Sequence, residues 1–189
     1  MWHSITFLPS IHLQDSYVWS GTATGQCTIS SVWKLFRASS AKVDGDGLLW
    51  HEWHTPRFSF VLWLASRGRL RTMDRLHRSS QRTCILCNEH EETHCHLFFA
   101  CKFSSSIWQD VSARAQLVWI PAPWPQTWAA MVQRFCNKNN PRHKLVGLVL
   151  ASTVYHLWRE RNHRIFNNKF SNVQQTKDAI IQSIRERLG

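Results

Sequence analysis

The stretch from Cys84 to Cys101, CILCNEHEETHCHLFFAC, contains four side chains whose types and spacing suit a metal ion. Cys84 and Cys87 form a C-x2-C pair, His96 follows after eight further residues, and Cys101 after four more. A C-x2-C turn lets two thiolates point at one ion, so a His and a Cys further on can complete a tetrahedron round Zn²⁺. The spacing predicts a structural Cys3His zinc site.

Other ligand types lie in the same stretch, so the spacing alone leaves the ligand set open. His90, His94 and Cys95 all stand between the C-x2-C pair and Cys101. A C-x2-C pair can also be a redox-active dithiol, but a thioredoxin-like pair is preceded by a strand and opens a helix. Here a polar and acidic run, NEHEETH, follows the pair. We therefore favour zinc over a redox function.

The acidic residues do not form a catalytic set. A two-metal polymerase or nuclease needs carboxylates that converge on two ions, and closely spaced Asp residues occur only in the loop that contains Asp44 and Asp46. That loop also lacks the closing Glu of a calcium-binding EF-hand. A zinc deaminase would need His-x-Glu upstream and Pro-Cys-x2-Cys, whereas Arg82 and Thr83 precede Cys84. We expect a protein without enzymatic activity.

The chain carries a large excess of positive charge. Its 189 residues include 23 Lys and Arg against 12 Asp and Glu, which gives a formal charge of +11 at pH 7. A cationic surface attracts polyanions, and nucleic acid is the first candidate partner, although basic faces often are only solvated. Basic residues lie close to aromatic ones in two regions, and these are the candidate nucleic-acid contacts: Arg67, Arg69, Arg71, Arg75 and Arg78, then Arg159, Arg161, Arg164 and Lys169. This combination predicts weak, salt-sensitive binding to RNA or single-stranded DNA.

The N-terminal residues do not resemble an export signal. MWHSITFLPSIHL lacks a basic start, a sustained apolar run and a small-residue cleavage site. The most apolar run, from Leu145 to Trp158, is too short and too polar to span a bilayer. We expect an intracellular protein of the nucleus or cytoplasm with no membrane partner. Its remaining cysteines, Cys27, Cys95 and Cys136, should then be reduced and packed.

The elements that would position these residues are mainly α-helical. The exception is a short N-terminal β-hairpin predicted over residues 15–29, because Gly-rich residues separate two β-forming runs. A helix capped by Ser30 or Ser31 should follow and end near Ser39. One short helix should end near His54, and another should begin near Arg57. We expect the second of these helices to be buried because it is apolar almost all round. The last element before the zinc stretch is a short helix predicted over residues 72–77, with Thr72 as its N-cap.

After the zinc stretch the sequence predicts an amphipathic helix and a C-terminal group of helices. The amphipathic helix covers residues 104–116, and the later ones cover 127–135, 141–167 and a segment after Ser171, which begins a Ser-x-x-Gln capping box with Gln174. Three prolines in WIPAPWP separate the two groups. The predicted organisation is an N-terminal extension (1–14), a zinc-binding domain (15–118), a Pro-rich linker (119–126) and a C-terminal helical extension (127–189).

Further motifs surround the zinc stretch. Within it lie Glu92-Thr93 and His96-Leu97-Phe98-Phe99; upstream lie Asp15, Trp19, Gly25, Ser30–Trp33, Trp50, Trp53, Pro56, Phe60, Leu62–Leu64 and Gly68–Leu76; downstream lie Trp108, Trp158–Asn162 and Arg164–Phe166. Together they resemble the zinc-binding domain that follows the polymerase in plant non-LTR (LINE-type) retrotransposon reverse transcriptases. The resemblance covers roughly residues 15–108 and 150–168.

The resemblance adds four expectations. The His before Leu-Phe-Phe is the ligand type in that family, which favours His96 over His90 and His94. Glu92 would accept a hydrogen bond from the other ring nitrogen of His96, as carboxylates near metal sites often do. The polymerase and nuclease modules of such elements are not in this sequence. The partners implied are RNA or single-stranded DNA and other retroelement proteins; alternatively, the chain is a non-catalytic structural or protein-interaction remnant.

Overall fold

The computed structural model describes residues 17–37, 43–75, 82–118 and 122–189. The chain divides into two compact units, Met1–Lys42 and Val43–Gly189. The predicted mainly α-helical fold class is confirmed. The predicted N-terminal hairpin is not confirmed, because the described residues contain no sheet, only an isolated antiparallel bridge between Thr83 and Glu91. The bounds of the four predicted segments stay predictions.

The first unit contains one described helix, α1 (Ile29–Phe36). Its cap is Thr28, whose hydroxyl accepts from the backbone N–H of Ser31, while the Ser31 hydroxyl accepts from the N–H of Thr28. The cap predicted at Ser30 or Ser31 was therefore placed too late. Ser31 is the third residue of the helix, and it closes the capping box that Thr28 opens. The helix ends at Phe36 rather than near Ser39, which lies outside the described residues.

The second unit is built around one long helix. Its helices are α2 (Asp46–Leu49), α3 (Pro56–Ser66), α4 (Lys102–Arg114), α5 (Trp124–Phe135), α6 (Pro141–Asn167) and α7 (Val173–Leu188), with a 3-10 turn at Met73–Arg75 and a π-helical turn at His96–Ala100. Helix α6 packs against each of the other α-helices of this unit. None of the helices described is long and apolar enough to cross a membrane.

Local sequence explains most helix ends in this unit. Pro56 begins α3 at a position where its missing N–H costs nothing, and the chain leaves the helix through Gly68, whose φ of 59° favours glycine. The side chain of Asn140 accepts from two N–H groups at the start of α6. Helix α7 is capped by Asn172 and Gln175, so the box predicted one residue earlier was in the wrong register. Helices α3 and α6 match their predicted bounds closely.

The segment after α3 departs from the prediction. Instead of capping a helix, the Thr72 hydroxyl donates to a carboxylate oxygen of Asp74 at 2.5 Å, and only the 3-10 turn follows. Residues 76 and 77 of the predicted helix lie outside the described residues. Thr72 is fully buried, so its hydroxyl needs the partner that Asp74 supplies.

The core lies where α6 meets α2, α3 and α4. Gly147 lets α6 approach α2, because a Cβ there would come within 2.4 Å of the Leu48 carbonyl oxygen. Helix α3 is not buried all round as predicted, since Leu62 is fully buried while Phe60 is 52% exposed. Two of the three cysteines predicted to be packed, Cys27 and Cys136, are exposed, and Cys95 is half-buried.

Candidate metal centre

The C-x2-C pair lies in a tight turn that the backbone closes. The N–H of Asn88 donates to the carbonyl of Cys84, and the N–H of Cys84 donates to the carbonyl of His90. Asn88 has a φ of 58°, a left-handed conformation that Asn tolerates better than other non-glycine residues. The turn therefore presents the Cys84 and Cys87 sulfurs from one short loop.

The other two ligand types are brought together by the π-helical turn. His96 begins this turn, and the N–H of Cys101 donates to its carbonyl at 2.8 Å, a bond across five residues. In an α-helix two residues so spaced would point about 140° apart, so the wider turn is needed to place them on one side. Thr93 supports the start of the turn, because its hydroxyl accepts from the N–H of His96. The sequence contained no signal for the π-helical turn.

The four ligand atoms form one cluster of a size that fits Zn²⁺. The donor atoms of Cys84, Cys87, His96 and Cys101 all lie within 4.8 Å of one another. The Cys84 and Cys101 sulfurs are 4.0 Å apart, and the Cys87 sulfur is 3.3 Å from His96 Nε2. Tetrahedral zinc, with bonds of about 2.3 Å to sulfur and 2.0 Å to nitrogen, requires sulfur–sulfur separations near 3.8 Å and sulfur–nitrogen separations of about 3.5 Å. The residues present therefore fit the ion.

The surroundings of the cluster act in opposite directions on the Cys101 and Cys84 thiols. A hydrogen bond from Cys84, aided by the N–H groups of Ser104 and Phe103 at the start of α4, lowers the pKa of Cys101 to about 5. The same hydrogen bond, together with burial, raises the pKa of Cys84. Of the two hydrogen-bonded thiols, Cys101 is therefore the one whose thiolate is favoured, and a bound cation would favour loss of the proton from Cys84 as well.

The competing ligand types are not part of the cluster. His94 is buried between the rings of Phe98 and Trp124, and burial lowers its pKa to about 4, so it is a neutral core residue. His90 lies beside His96, with ring centroids 5.4 Å apart, and its side chain is 66% exposed. Three histidines suit the ligand spacing, but the fold brings only His96 to the cysteines.

Glu92 does not contact His96 as predicted. Its side chain is fully buried and receives the guanidinium of Arg161, which is 2% exposed and donates at 2.7 Å from Nη2 and at 3.1 Å from Nε. The same carboxylate also accepts from the N–H of Met73. The predicted hydrogen bond is wrong because the carboxylate is turned toward α6, where it forms a buried ion pair between the zinc stretch and that helix.

Arg164, one turn after Arg161 on α6, donates hydrogen bonds to the C-x2-C turn itself. Its Nη1 lies 3.2 Å from both the Ile85 and Leu86 carbonyl oxygens, which belong to the two residues between the paired cysteines. Its Nε donates to Glu160, and the Glu160 carboxylate also accepts from the N–H of Ser171. Helix α6 therefore supports the zinc turn through side chains that lie far away in the sequence.

Arg161 and Arg164 were predicted to contact nucleic acid, but their side chains are only 2% and 10% exposed. Arg161 donates to the Glu92 carboxylate, and Arg164 donates to the Glu160 carboxylate and to backbone carbonyls, so the donors of both are already used within the protein. A usable signal was present: Val154, Leu157, Arg161 and Arg164 follow at spacings of three and four residues, so the arginines continue the buried apolar stripe. The other candidates described are exposed: Arg67, Arg69, Arg71, Arg75, Arg159 and Lys169. Arg78 lies outside the described residues.

The position of the two histidines gives a prediction that distinguishes them. We expect His96→Ala to lose the metal, because it removes one of four ligand atoms, and His94→Ala to keep it. His94→Ala should still destabilise the fold, by about 2–4 kcal/mol, since it leaves a cavity between two aromatic rings. The measurement is zinc content after gel filtration together with the melting temperature. Loss of zinc from His94→Ala with retention in His96→Ala would show that the assignment is reversed.

Residues 27–108 match a family model described as zinc-binding in reverse transcriptase. Comparisons with curated proteins and with solved structures gave no match. The matched range ends inside α4, so it does not reach α6, which carries Arg161 and Arg164. The family is zinc-binding and the cluster suits a metal ion, which confirms the predicted cofactor. Residues 27–108 are therefore similar to the zinc-binding region of reverse transcriptases, and their cofactor is Zn²⁺.

Proposed function

We propose that the chain is a non-catalytic zinc module in which Cys84, Cys87, His96 and Cys101 ligate one Zn²⁺. The single observation that supports this best is the convergence of these four donor atoms within 4.8 Å. Four protein ligands leave no open coordination position, which is the arrangement of structural rather than catalytic zinc sites. The ion would fix the C-x2-C turn relative to the π-helical turn and to the start of α4.

We further propose that this module binds RNA or single-stranded DNA. Its formal charge of +11 would attract phosphates, and six of the predicted basic contacts are exposed. Four of them, Arg67, Arg69, Arg71 and Arg75, lie within nine residues of one another after α3, so they present charge in one short segment. Contacts of this kind are electrostatic and carry little sequence preference.

The finer origin of the module is part of the same proposal. The motifs on both sides of the zinc stretch resemble those of plant non-LTR (LINE-type) retrotransposon reverse transcriptases, and the family match supports the coarser assignment. A module of that origin would act inside the cell, in the nucleus or cytoplasm, beside other retroelement proteins. It would hold template or target strands rather than act on them.

The alternative is a structural or protein-interaction remnant. The observation that favours it lies on α1, where Ile29, Trp33 and Phe36 are 92%, 65% and 76% exposed and share one helix face. Apolar residues grouped in this way are typical of protein-binding surfaces. This alternative predicts no affinity for nucleic acid even at low salt.

A salt titration separates the two functions. We expect retention of a labelled 20-nucleotide single strand on a filter at 50 mM salt, and an affinity that falls roughly 20- to 300-fold by 200 mM if about three to six phosphates are contacted. Substituting Arg69 and Arg71 by Gln should weaken binding and flatten this salt dependence. The matched control substitutes Arg134 and Lys138, two exposed basic residues outside the predicted set, by Gln. Absence of retention at low salt would favour the remnant, and retention that ignores salt would contradict phosphate contact.

A further inference from the structure

Helix α3 exposes two stacked aromatic rings on its outer face. Phe60 is 52% exposed, and its ring lies against that of Trp63 with centroids 5.8 Å apart and an angle of 29° between the planes. Arg67, which is exposed, follows at the spacing that places it on the same face. We refer to Phe60, Trp63 and Arg67 as the α3 strip.

The opposite face of α3 explains why the strip stays exposed. Phe58, Leu62 and Ala65 are buried, and the ring of Phe58 stacks on Tyr155 of α6. Helix α3 therefore packs against the core through one face only, and its other face stays exposed. Trp63 is half-buried and rests against the core, which fixes the orientation of the ring on which Phe60 stacks. The strip is thus a rigid aromatic surface rather than a loose side chain.

The charged residues in α3 and in the segments next to it along the chain are of one sign. The run from Trp53 to Met73 contains no Asp or Glu and four arginines, Arg57, Arg67, Arg69 and Arg71. The last three are exposed and follow directly at the end of α3. An aromatic face beside several arginines complements a ligand that carries flat rings and negative charges in alternation.

We propose that the α3 strip is a stacking platform for unpaired bases of single-stranded nucleic acid, with Arg67, Arg69 and Arg71 on the adjacent phosphates. The inference rests on the nucleic-acid binding proposed above and adds its location and its preference for unpaired strands. Bases in a duplex are stacked on one another and cannot lie on Phe60, whereas an unpaired base offers its ring to any exposed aromatic side chain. Stacking of this kind tolerates every base, so the platform would carry little sequence preference.

The test compares Phe60→Ala with Phe166→Ala, which removes an equally large exposed ring from the end of α6. The probes are labelled oligo(dT) and oligo(U) of 20 nucleotides, an abasic strand of the same length, and a duplex. We expect Phe60→Ala to weaken binding to both single strands by about 5-fold or more. It should leave the abasic strand and the duplex within 2-fold, because these ligands retain phosphates and offer no free base. Phe60→Tyr should restore affinity, and Phe166→Ala should change nothing.

The outcomes distinguish this inference from the function on which it rests. If the wild-type chain binds no strand, the proposed function fails and the platform with it. If the wild-type chain binds the single strands and Phe60→Ala binds them equally well, nucleic-acid binding stands and the platform is refuted. An equal loss on the abasic strand would also refute it, since the effect would then not involve bases. Unchanged zinc content and melting temperature of Phe60→Ala establish that the variant is folded.

Discussion

Substitution of Cys87 by Ala is expected to release the zinc ion and to unfold the stretch from Cys84 to Cys101. Structural zinc in small sites contributes about 10–16 kcal/mol of apparent binding free energy, and this free energy is coupled to folding. The free energy of unfolding of whole domains is only about 5–15 kcal/mol, so loss of even part of the zinc-binding free energy removes most of the stability. We expect a loss of at least about 5 kcal/mol, which corresponds to roughly 10–20 °C in melting temperature for a chain of this size.

The measurement is thermal unfolding followed by circular dichroism, with zinc content determined on the same samples. The matched control is Cys136→Ala, because Cys136 is a free, exposed cysteine outside the cluster. Chelation of the wild-type protein should reproduce the effect of Cys87→Ala and leave the Cys87→Ala protein itself unchanged. A metal-free protein with the melting temperature of the wild type would show that zinc does not support this fold.

Substitution of Arg161 should cause the second largest loss in the free energy of unfolding. The Glu92 carboxylate is fully buried, and in Arg161→Met it would lose its only charged partner in the described residues. Breaking a buried ion pair from one side costs about 3–5 kcal/mol, because the remaining charge stays desolvated. Chemical denaturation of the zinc-loaded protein measures this loss. The control is Arg159→Met, an exposed neighbour on the same helix, which should cost less than about 0.5 kcal/mol.

A double substitution tests the physical reason. In Glu92→Gln with Arg161→Met the buried group is neutral, and the amide oxygen can still accept from the Met73 N–H. The pair should therefore be less destabilised than the sum of the single variants, and we expect a coupling of about 1–3 kcal/mol. Additive losses, or an Arg161→Met variant as stable as Arg159→Met, would mean that the ion pair does not hold α6 against the zinc stretch.

A Cys3His zinc site could be predicted because zinc chemistry restricts residue type and spacing more tightly than folding does, whereas the preference for His96 over His90 and His94 came from the family resemblance. The way the four ligands are assembled could not be predicted. The bond from Cys101 to the His96 carbonyl depends on a π-helical turn, for which sequence periodicity carries no signal. The spacing admits either His94 or His96 as the fourth ligand. Only the packing of His94 against Trp124 shows that His94 belongs to the core.

Helices were predicted where propensity and tertiary packing agree. Helix α6 has a Pro at its first position, an Asn cap and a long apolar stripe, so its bounds at Pro141 and Asn167 follow from the sequence. The capping box of α7 was predicted one residue early because two polar residues in succession, Ser171 and Asn172, offer alternative caps of similar strength. At α1, Thr28 competed with Ser30 and Ser31 for the cap position.

Long-range pairing accounts for the remaining errors. Arg161 and Arg164 have the appearance of surface charge in a basic run, and their partners Glu92 and Ile85 lie more than sixty residues earlier. The three- and four-residue spacing that continues from Val154 and Leu157 was a local sign that these arginines face the core, but nothing local identifies the groups that they meet there. The same limitation applies to Phe60, which hydrophobicity alone assigned to the core.

Native mass spectrometry of the purified chain, with and without a chelator, tests the zinc module most directly. We predict one zinc ion per chain in the wild-type protein, none after chelation, and none in Cys87→Ala or His96→Ala. Cys136→Ala and His94→Ala should each retain one ion. A wild-type chain that carries no zinc, or a His96→Ala chain that keeps its ion, would contradict the Cys84, Cys87, His96 and Cys101 site.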